Sequence, residues 1–300
     1  MKSKTIAIVG TGLIGASVGL ALRRRGERGL AIVGWDPSAR NARAARRRHA
    51  IDSISNDLTR AIERADTVVI AAPLSHIVSL VTKAIKYAKR GALIIDVGGL
   101  KQAIAATAAR ALRQPASGAL FVAGHPMAGS ERAGPEAAAE DLFDDRPFAI
   151  HAPVQHSRAR AWRAAETFVR ALGGFPVRID PADHDRIVAA TSALPQLAAL
   201  AIARAAVRAA GKQGARLVGP GLAGATRLAE SPFSVWEIAL LENRRNVRRA
   251  LRALGHEIGI IDAALERGDA RRLEKIFLAA AGARRRICSG RGRTKSARSS

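Results

Sequence analysis

The run Thr5-Ile-Ala-Ile-Val-Gly-Thr-Gly-Leu-Ile-Gly-Ala-Ser-Val-Gly19 constrains the fold more than any other part of the chain. Its first five residues are mostly β-branched and read as a buried strand. Gly10, Gly12 and Gly15 follow in the spacing G-x-G-x-x-G, and residues 13–25 continue with helical spacing. Gly10 suits a tight turn, Gly12 lets backbone approach a pyrophosphate, and Gly15 lets the new helix pack closely on the strand. Leu13 and Ile14 open that helix, whose free N–H groups and positive dipole end face the phosphates. The expectation is a dinucleotide site.

A second strand over residues 30–35 ends at Asp36, about 20 residues past the glycine loop. A carboxylate there accepts both ribose hydroxyls of NAD and repels the 2′-phosphate of NADP, so NAD is favoured as cofactor. Arg40 argues the other way, since a nearby guanidinium can accommodate a phosphate, and Asp36 also suits a plain surface turn before Pro37.

Strands and helices then alternate. Strands are expected at residues 66–72, 92–96 and 119–124, with helices at 39–49, 58–64, 77–88 and 101–112 between them. This alternation predicts a parallel, doubly wound sheet with ligands at the carboxyl ends of its strands. Ala72-Pro73, Asp96-Val-Gly98 and His125 fall at such ends and become candidate cofactor or catalytic positions. A strand-like segment over 146–153, a helix over 157–172 and a last strand at 175–179 complete the pattern. Beyond Asp180-Pro181 only helical signals remain, with Asp183 and His184 as starting residues. The fold class is therefore α/β, an N-terminal doubly wound Rossmann-type sheet followed by an all-α domain. The expected boundaries are 1–180 for the dinucleotide-binding domain, 181–283 for the helical domain and 284–300 for a disordered basic tail.

A formal charge of +24 invites a nucleic-acid reading. Most of it comes from Arg spread along an Ala-rich chain, and aromatic residues make up only 4%, too few for stacking on single strands. The one concentrated cluster begins at Arg284-Arg285-Arg286, so no specific nucleic-acid partner is expected. A single cysteine, Cys288, rules out a disulfide or a cysteine-based metal site within the chain. The first residues lead straight into a strand without a secretory apolar region. The apolar stretch 187–207 carries Pro195, Gln196 and Arg204 and reads as buried helical core, not a membrane span. These features place the protein in the cytoplasm, soluble and without a metal.

The run Gly124-His-Pro-Met-Ala-Gly-Ser-Glu-Arg-Ala-Gly134 carries the chemistry. A histidine at a strand end, held by Pro126, can face the nicotinamide crevice and take a hydroxyl proton as hydride leaves the same carbon. His76, after Pro73, is the rival position, and a structural histidine in a tight turn is the plainer alternative.

With these residues in view, the chain resembles the prephenate/arogenate dehydrogenases. The resemblance lies in Gly12-Leu-Ile-Gly15, Asp96-Val-Gly-Gly-Leu-Lys101 and His125-Pro-Met-Ala-Gly-Ser-Glu. It continues through His184-Asp185, Ser192-Ala-Leu-Pro-Gln196, Gly219-Pro-Gly-Leu-Ala-Gly-Ala-Thr-Arg-Leu-Ala229 and Trp236. It covers residues 4–285 and implies NAD-dependent oxidative decarboxylation of prephenate, or of arogenate, in tyrosine biosynthesis. By the same resemblance His125 is the proton acceptor and Arg227 binds a substrate carboxylate. Ser192, Gln196 and Ser130 line the substrate, and the helical domain forms a homodimer.

The chain also departs from the family's pattern. Gly99 stands where the family usually has a serine that hydrogen-bonds the catalytic histidine and the substrate hydroxyl. Ala193 replaces a usual histidine, Gln196 a frequent one, and Ala223-Gly224 a usual Arg-Asp pair. The departures imply a slower or retuned enzyme, with Ser130 or a water supplying the missing hydroxyl. They also leave open a cofactor-binding homologue with reduced or lost activity. A general hydroxyacid dehydrogenase is disfavoured, because no lysine or histidine suited to that chemistry follows residue 180.

Overall fold

The computed structural model describes residues 4–26, 29–113, 118–130, 132–154 and 157–289. Eight strands form one sheet in the order β3-β2-β1-β4-β5-β6-β7-β8. They are β1 (Lys4–Val9), β2 (Leu30–Trp35), β3 (Ser53–Ile54), β4 (Thr67–Ile70), β5 (Leu93–Asp96), β6 (Leu120–Pro126), β7 (Pro147–His151) and β8 (Phe175–Arg178). Every neighbouring pair is parallel except β6 and β7. That exception departs from the all-parallel expectation, and the connection explains it. Among the described residues of 127–146 there is only one short 3₁₀ turn, and a parallel return needs a crossover of helical length.

The helices cover both faces because successive strand residues point to opposite sides. Ile6 and Ile8 of β1 join one apolar layer with Ala16, Val18 and Leu22 of α1 (Leu13–Arg24) and with Ala161 and Val169 of α6 (Arg158–Ala171). Ala7 and Val9 join the other layer, with Ile62 of α3 (Leu58–Arg64), Ile77 and Val81 of α4 (Leu74–Tyr87) and Ile104 of α5 (Gln102–Ala111). The remaining sheet helix, α2 (Ala39–Arg47), is capped by Ser38. The sheet order reverses between β1 and β4, so a crevice opens at their carboxyl ends, where ligands of doubly wound sheets sit.

Past β8 the chain is helical. Asp180, not Asp183, caps α7 (Pro181–Val188) by accepting from Ala182 N at 2.8 Å, which leaves His184 inside the helix and buried. A π-helical turn over Ala189–Ala193 joins α7 to α8 (Leu194–Ala210). The glycine-rich stretch 211–224 is partly helical, with a 3₁₀ turn over Gly211–Leu217 and α9 (Pro220–Thr226). A further 3₁₀ turn, Arg227–Glu230, leads to α10 (Phe233–Glu242).

By packing, the chain divides into residues 1–243 and 244–300. The change of element type at 181 is not a change of packing unit, since Asp185 of α7 bonds to the start of α5. The second unit consists of α11 (Arg244–Glu266) and α12 (Ala270–Ser289), joined by a turn at Gly268, where φ is +62°. Helix α12 runs through Arg284–Arg286, where the basic tail was expected to begin. Arg is a good helix former, and the Ala-rich turn before it continues without a break. The remainder of that tail, 290–300, lies outside the described residues.

The stretch 187–207 also differs from the buried core expected of it. Ile202 is 41% and Val207 74% exposed in the single chain. By length and composition the helical run Pro181–Ala210 would be able to cross a membrane, and 28% of its most apolar window is buried.

Candidate active site

The glycine loop shows why each glycine stands where it does. Gly10 has φ +94°, and a Cβ there would lie 2.4 Å from Ala71 O. A Cβ on Gly15 would lie 1.9 Å from Gly10 O, whereas one on Gly12 would meet nothing within 4 Å. Gly10 and Gly15 are therefore required by the protein's own packing. Gly12 instead keeps open the space before the N-terminus of α1, which Leu13 and Ile14 begin and which no side chain caps.

Asp36, at the end of β2, is held in place by the loop it follows. Its Oδ2 accepts from Thr11 N at 2.7 Å and Thr11 Oγ at 3.1 Å, and its Oδ1 accepts from Ser38 N at 2.9 Å. The carboxylate retains lone-pair capacity on Oδ1. Ala72 and Pro73 follow β4, with Pro73 at the N-cap of α4, and Gly98 follows β5. A Cβ on Gly98 would press on Ile77 at 2.6 Å, and its N–H donates to Asp96 Oδ2 at 3.0 Å. The cofactor positions expected from sequence thus follow the carboxyl ends of β1, β2, β4 and β5.

A cleft of about 270 Å³ opens beside them, lined among others by Leu74, Gly99, His125, Ser192, Trp236 and Asn243. His125 comes from β6, Gly99 from the loop after β5, and Ser192 from the π turn. The other expected substrate residues lie elsewhere. Ser130 is exposed, accepts from Arg132 N at 3.2 Å and does not line this cleft. Gln196 is buried on α8, its Nε2 donating to Leu228 O at 2.8 Å while its Oε1 has no partner among the described residues. That bond ties α8 to the turn carrying Arg227, which is exposed in the single chain. The rival histidine, His76, is exposed near the start of α4 and is not in the cleft.

Beneath His125 lies a buried polar network that the sequence did not reveal. The Lys101 ammonium pairs with the Asp96 carboxylate and donates to Gly124 O at 2.6 Å. Asp96 Oδ1 also accepts from Gly124 N at 3.2 Å. Burial pushes Asp96 up and Lys101 down, and each is held against that shift by the other's charge. Asp185 accepts from Lys101 N at 2.8 Å and Gln102 N at 3.0 Å, and Asn243 Nδ2 donates to Asp185 O at 2.7 Å. His184, which the sequence suggested only as a helix-starting residue, lies with Nε2 2.9 Å from His125 Nδ1 and Nδ1 2.8 Å from Asp185 Oδ1.

Burial, the Lys101 cation and His184 hold His125 well below the usual histidine range. At neutral pH its imidazole is uncharged and able to accept a proton. The free edge of the ring, Cε1 and Nε2, faces the position where a Cβ on Gly99 would sit, 3.9 Å away. The site can therefore perform general-base chemistry on a hydroxyl beside a nucleotide crevice. Among the described residues no cluster of His, Cys, Asp and Glu is suited to a metal.

The chain is similar to known proteins over most of its length. A family model described as the prephenate dehydrogenase nucleotide-binding domain matches residues 18–177. A second, the prephenate dehydrogenase dimerization domain, matches residues 180–279. A prephenate dehydrogenase of Bacillus subtilis is 30% identical over 276 residues, 91% of this chain and 73% of that protein. A cyclohexadienyl dehydrogenase of Zymomonas mobilis is 28% identical over 243 residues, 80% of this chain and 81% of that protein. Among solved structures, prephenate dehydrogenase from Aquifex aeolicus in complex with hydroxyphenyl propionate and NAD+ superposes with a TM-score of 0.83 at 22% identity. The match covers 96% of this chain and 99% of that one.

Proposed function

This chain belongs to the prephenate dehydrogenase family, and from that membership and the His125 cleft we propose that it catalyses NAD-dependent oxidative decarboxylation of prephenate to 4-hydroxyphenylpyruvate in tyrosine biosynthesis. The observation that carries the reading is a neutral histidine at the carboxyl end of β6, its free ring edge toward Gly99 in a cleft that Leu74 and Gly99 line past the ends of β4 and β5.

The residues present fit NAD. The space over Gly12 that a Cβ would enter, the uncapped start of α1 and the ordered Asp36 carboxylate suit a pyrophosphate and an unphosphorylated ribose. Gly10, Gly12, Leu13, Ile14, Gly15, Asp36, Ala72, Pro73 and Gly98 would hold it, and when bound it supplies the hydride acceptor. His125 Nε2 takes the proton of the ring hydroxyl as hydride leaves the same carbon. The electron pair of the breaking carbon–carboxylate bond then passes into the ring, carbon dioxide departs, and aromaticity makes the reaction effectively irreversible. Arg227 anchors a substrate carboxylate, for which a guanidinium offers two parallel hydrogen bonds. Ser192, on the π turn, lines the cleft, and Gln196, in the first turn of α8, holds that helix to the turn carrying Arg227.

One observation favours arogenate as a second reading. The Zymomonas mobilis relative is named a cyclohexadienyl dehydrogenase, a name that does not restrict that enzyme to the keto acid, and arogenate carries an ammonium where prephenate carries a keto group. The exposed apolar face of α8, with Ile202 and Val207, suits a homodimer through the helical domain, in a cytoplasmic enzyme without membrane or specific nucleic-acid partner. Reduced nicotinamide formed from prephenate and from arogenate, each offered NAD and NADP, tests the reaction and ranks substrates and cofactors. No turnover of either substrate by protein that still binds NAD would leave a cofactor-binding homologue. Light scattering on the eluted protein tests the dimer.

A further inference from the structure

The contacts beneath His125 fix where its proton sits. An ionised carboxylate only accepts hydrogen bonds, and two backbone N–H groups, of Lys101 and Gln102, already point at Asp185. His184 Nδ1, 2.8 Å from Asp185 Oδ1, must therefore carry a hydrogen. A neutral imidazole has only one N–H, so in the neutral form of His184 that hydrogen is the one on Nδ1 and Nε2 keeps a lone pair. Across the 2.9 Å contact to His125 Nδ1, the hydrogen must then belong to His125. The Nε2 of His125 is consequently the unprotonated nitrogen, and it is the one at the free edge of the ring beside Gly99.

We propose that His184 and Asp185 are positioning residues for the proton transfer, an Asp-His-His relay that locks His125 in the tautomer with its lone pair toward the cleft. As Nε2 gains the substrate proton, the bond from Nδ1–H to His184 strengthens, and the positive charge is shared toward the Asp185 carboxylate. Burial, Lys101 and His184 oppose charge on His125; Asp185, reached through His184, is the only anionic group connected to it by hydrogen bonds among the described residues. Asp185 can hold its own direction because three donors converge on its oxygens and Asn243 holds its backbone.

The inference rests on His125 being the base, and its first test needs no substrate. In the full-length protein labelled with nitrogen-15, ring spectra at neutral pH, assigned with a His125→Asn variant, should show His125 protonated at Nδ1 and bare at Nε2. A proton on Nε2 of His125 in that spectrum overturns the proposal. If the tautomer is as expected and neither cyclohexadiene is turned over, the functional reading fails and the relay stands.

In Asp185→Asn the amide can donate to His184 Nδ1, which reverses both histidines and puts the His125 proton on Nε2. The expected result is a kcat lowered on the order of 10²–10⁴-fold, with KM for NAD and substrate nearly unchanged. His184→Gln keeps an acceptor toward His125 and a donor toward Asp185. It should therefore retain at least about tenfold more activity than His184→Phe. An Asp185→Asn enzyme that keeps its kcat, or a His184→Gln enzyme no better than His184→Phe, overturns the proposal.

Discussion

Replacing Gly99 by serine should make this enzyme faster. A Cβ on Gly99 would lie 3.9 Å from both His125 Nε2 and Cε1 and 4.0 Å from Leu74 Cδ1, ordinary contact distances that require nothing to move. The φ of Gly99 is negative, so an L side chain is tolerated there. A hydroxyl one bond beyond that carbon comes within hydrogen-bond distance of Nε2, about 2.7–3.0 Å, and of any hydroxyl about to give Nε2 its proton. A hydrogen bond to a group that charges during the step contributes about 1–3 kcal/mol. At about 1.4 kcal/mol per factor of ten, kcat should rise roughly tenfold to a hundredfold.

Gly99→Ala is the control, because it adds the carbon without the hydroxyl. Both variants should gain about 0.4–1 kcal/mol of stability through the unfolded state, so the serine effect is read as the ratio of the two enzymes in initial-rate assays. A Gly99→Ser enzyme no faster than Gly99→Ala refutes the reasoning, because the cleft would then already supply that hydrogen bond. If the alanine variant alone is strongly slowed, the space beside His125 belongs to the substrate.

The other predictions concern the parts that hold His125 and the nucleotide. The pKa of His125 is lowered, so its base form persists below pH 6.5; the acid limb of kcat/KM should fall below that pH, and a limb above it contradicts the burial argument. The same shift has a stability consequence: the unfolded chain binds the proton that folded His125 refuses, so this residue's effect is absent above pH 6.5 and destabilises the fold progressively below it. Lys101→Met should cost about 3–5 kcal/mol in urea unfolding, since it leaves the Asp96 carboxylate buried without its cation. Gly12→Ala should keep the melting temperature, because its Cβ meets nothing, while KM for NAD rises on the order of tenfold, equivalent to ~1.4 kcal/mol. Gly15→Ala should lose about 1–3 kcal/mol or more of stability from its clash with Gly10 O, as thermal unfolding would register.

What the sequence made legible follows from the range of the forces involved. The glycine loop, the strand ends and the alternation of strand and helix are local, and each sits where local pattern placed it. His125 stood out because a strand end, a proline and a glycine loop surround it within a few residues. The relay was hidden, since His184 and Asp185 lie 59 and 60 residues further on and look like ordinary helix-starting polar residues. Lys101 closes the run Asp96-Val-Gly-Gly-Leu-Lys101, and nothing in a lone lysine before a helix signals complete burial. The π turn over Ala189–Ala193 has no sequence mark either, yet it brings Ser192 to the cleft. Ser130 failed in the opposite way: it is close to His125 in sequence, but its exposed loop turns its hydroxyl to Arg132 N.

The buried lysine also bears on how the base can turn over. Lys101 joins the carboxyl ends of β5 and β6 through Asp96 and Gly124 O, so the cation that discourages charge on His125 cannot be removed without loosening the strand that carries it. A base kept neutral by such a neighbour is always ready to accept, but it is weak, and a weak base gives little driving force for proton transfer. An anion linked through His184 offsets that weakness during the transfer without raising a charge at the cleft. Once product leaves, the same Lys101 cation favours loss of the proton and readies His125 for the next substrate. Lys101 and Asp185 thus act on His125 with opposite signs, and the backbone N–H of Lys101 to Asp185 holds the two in fixed register.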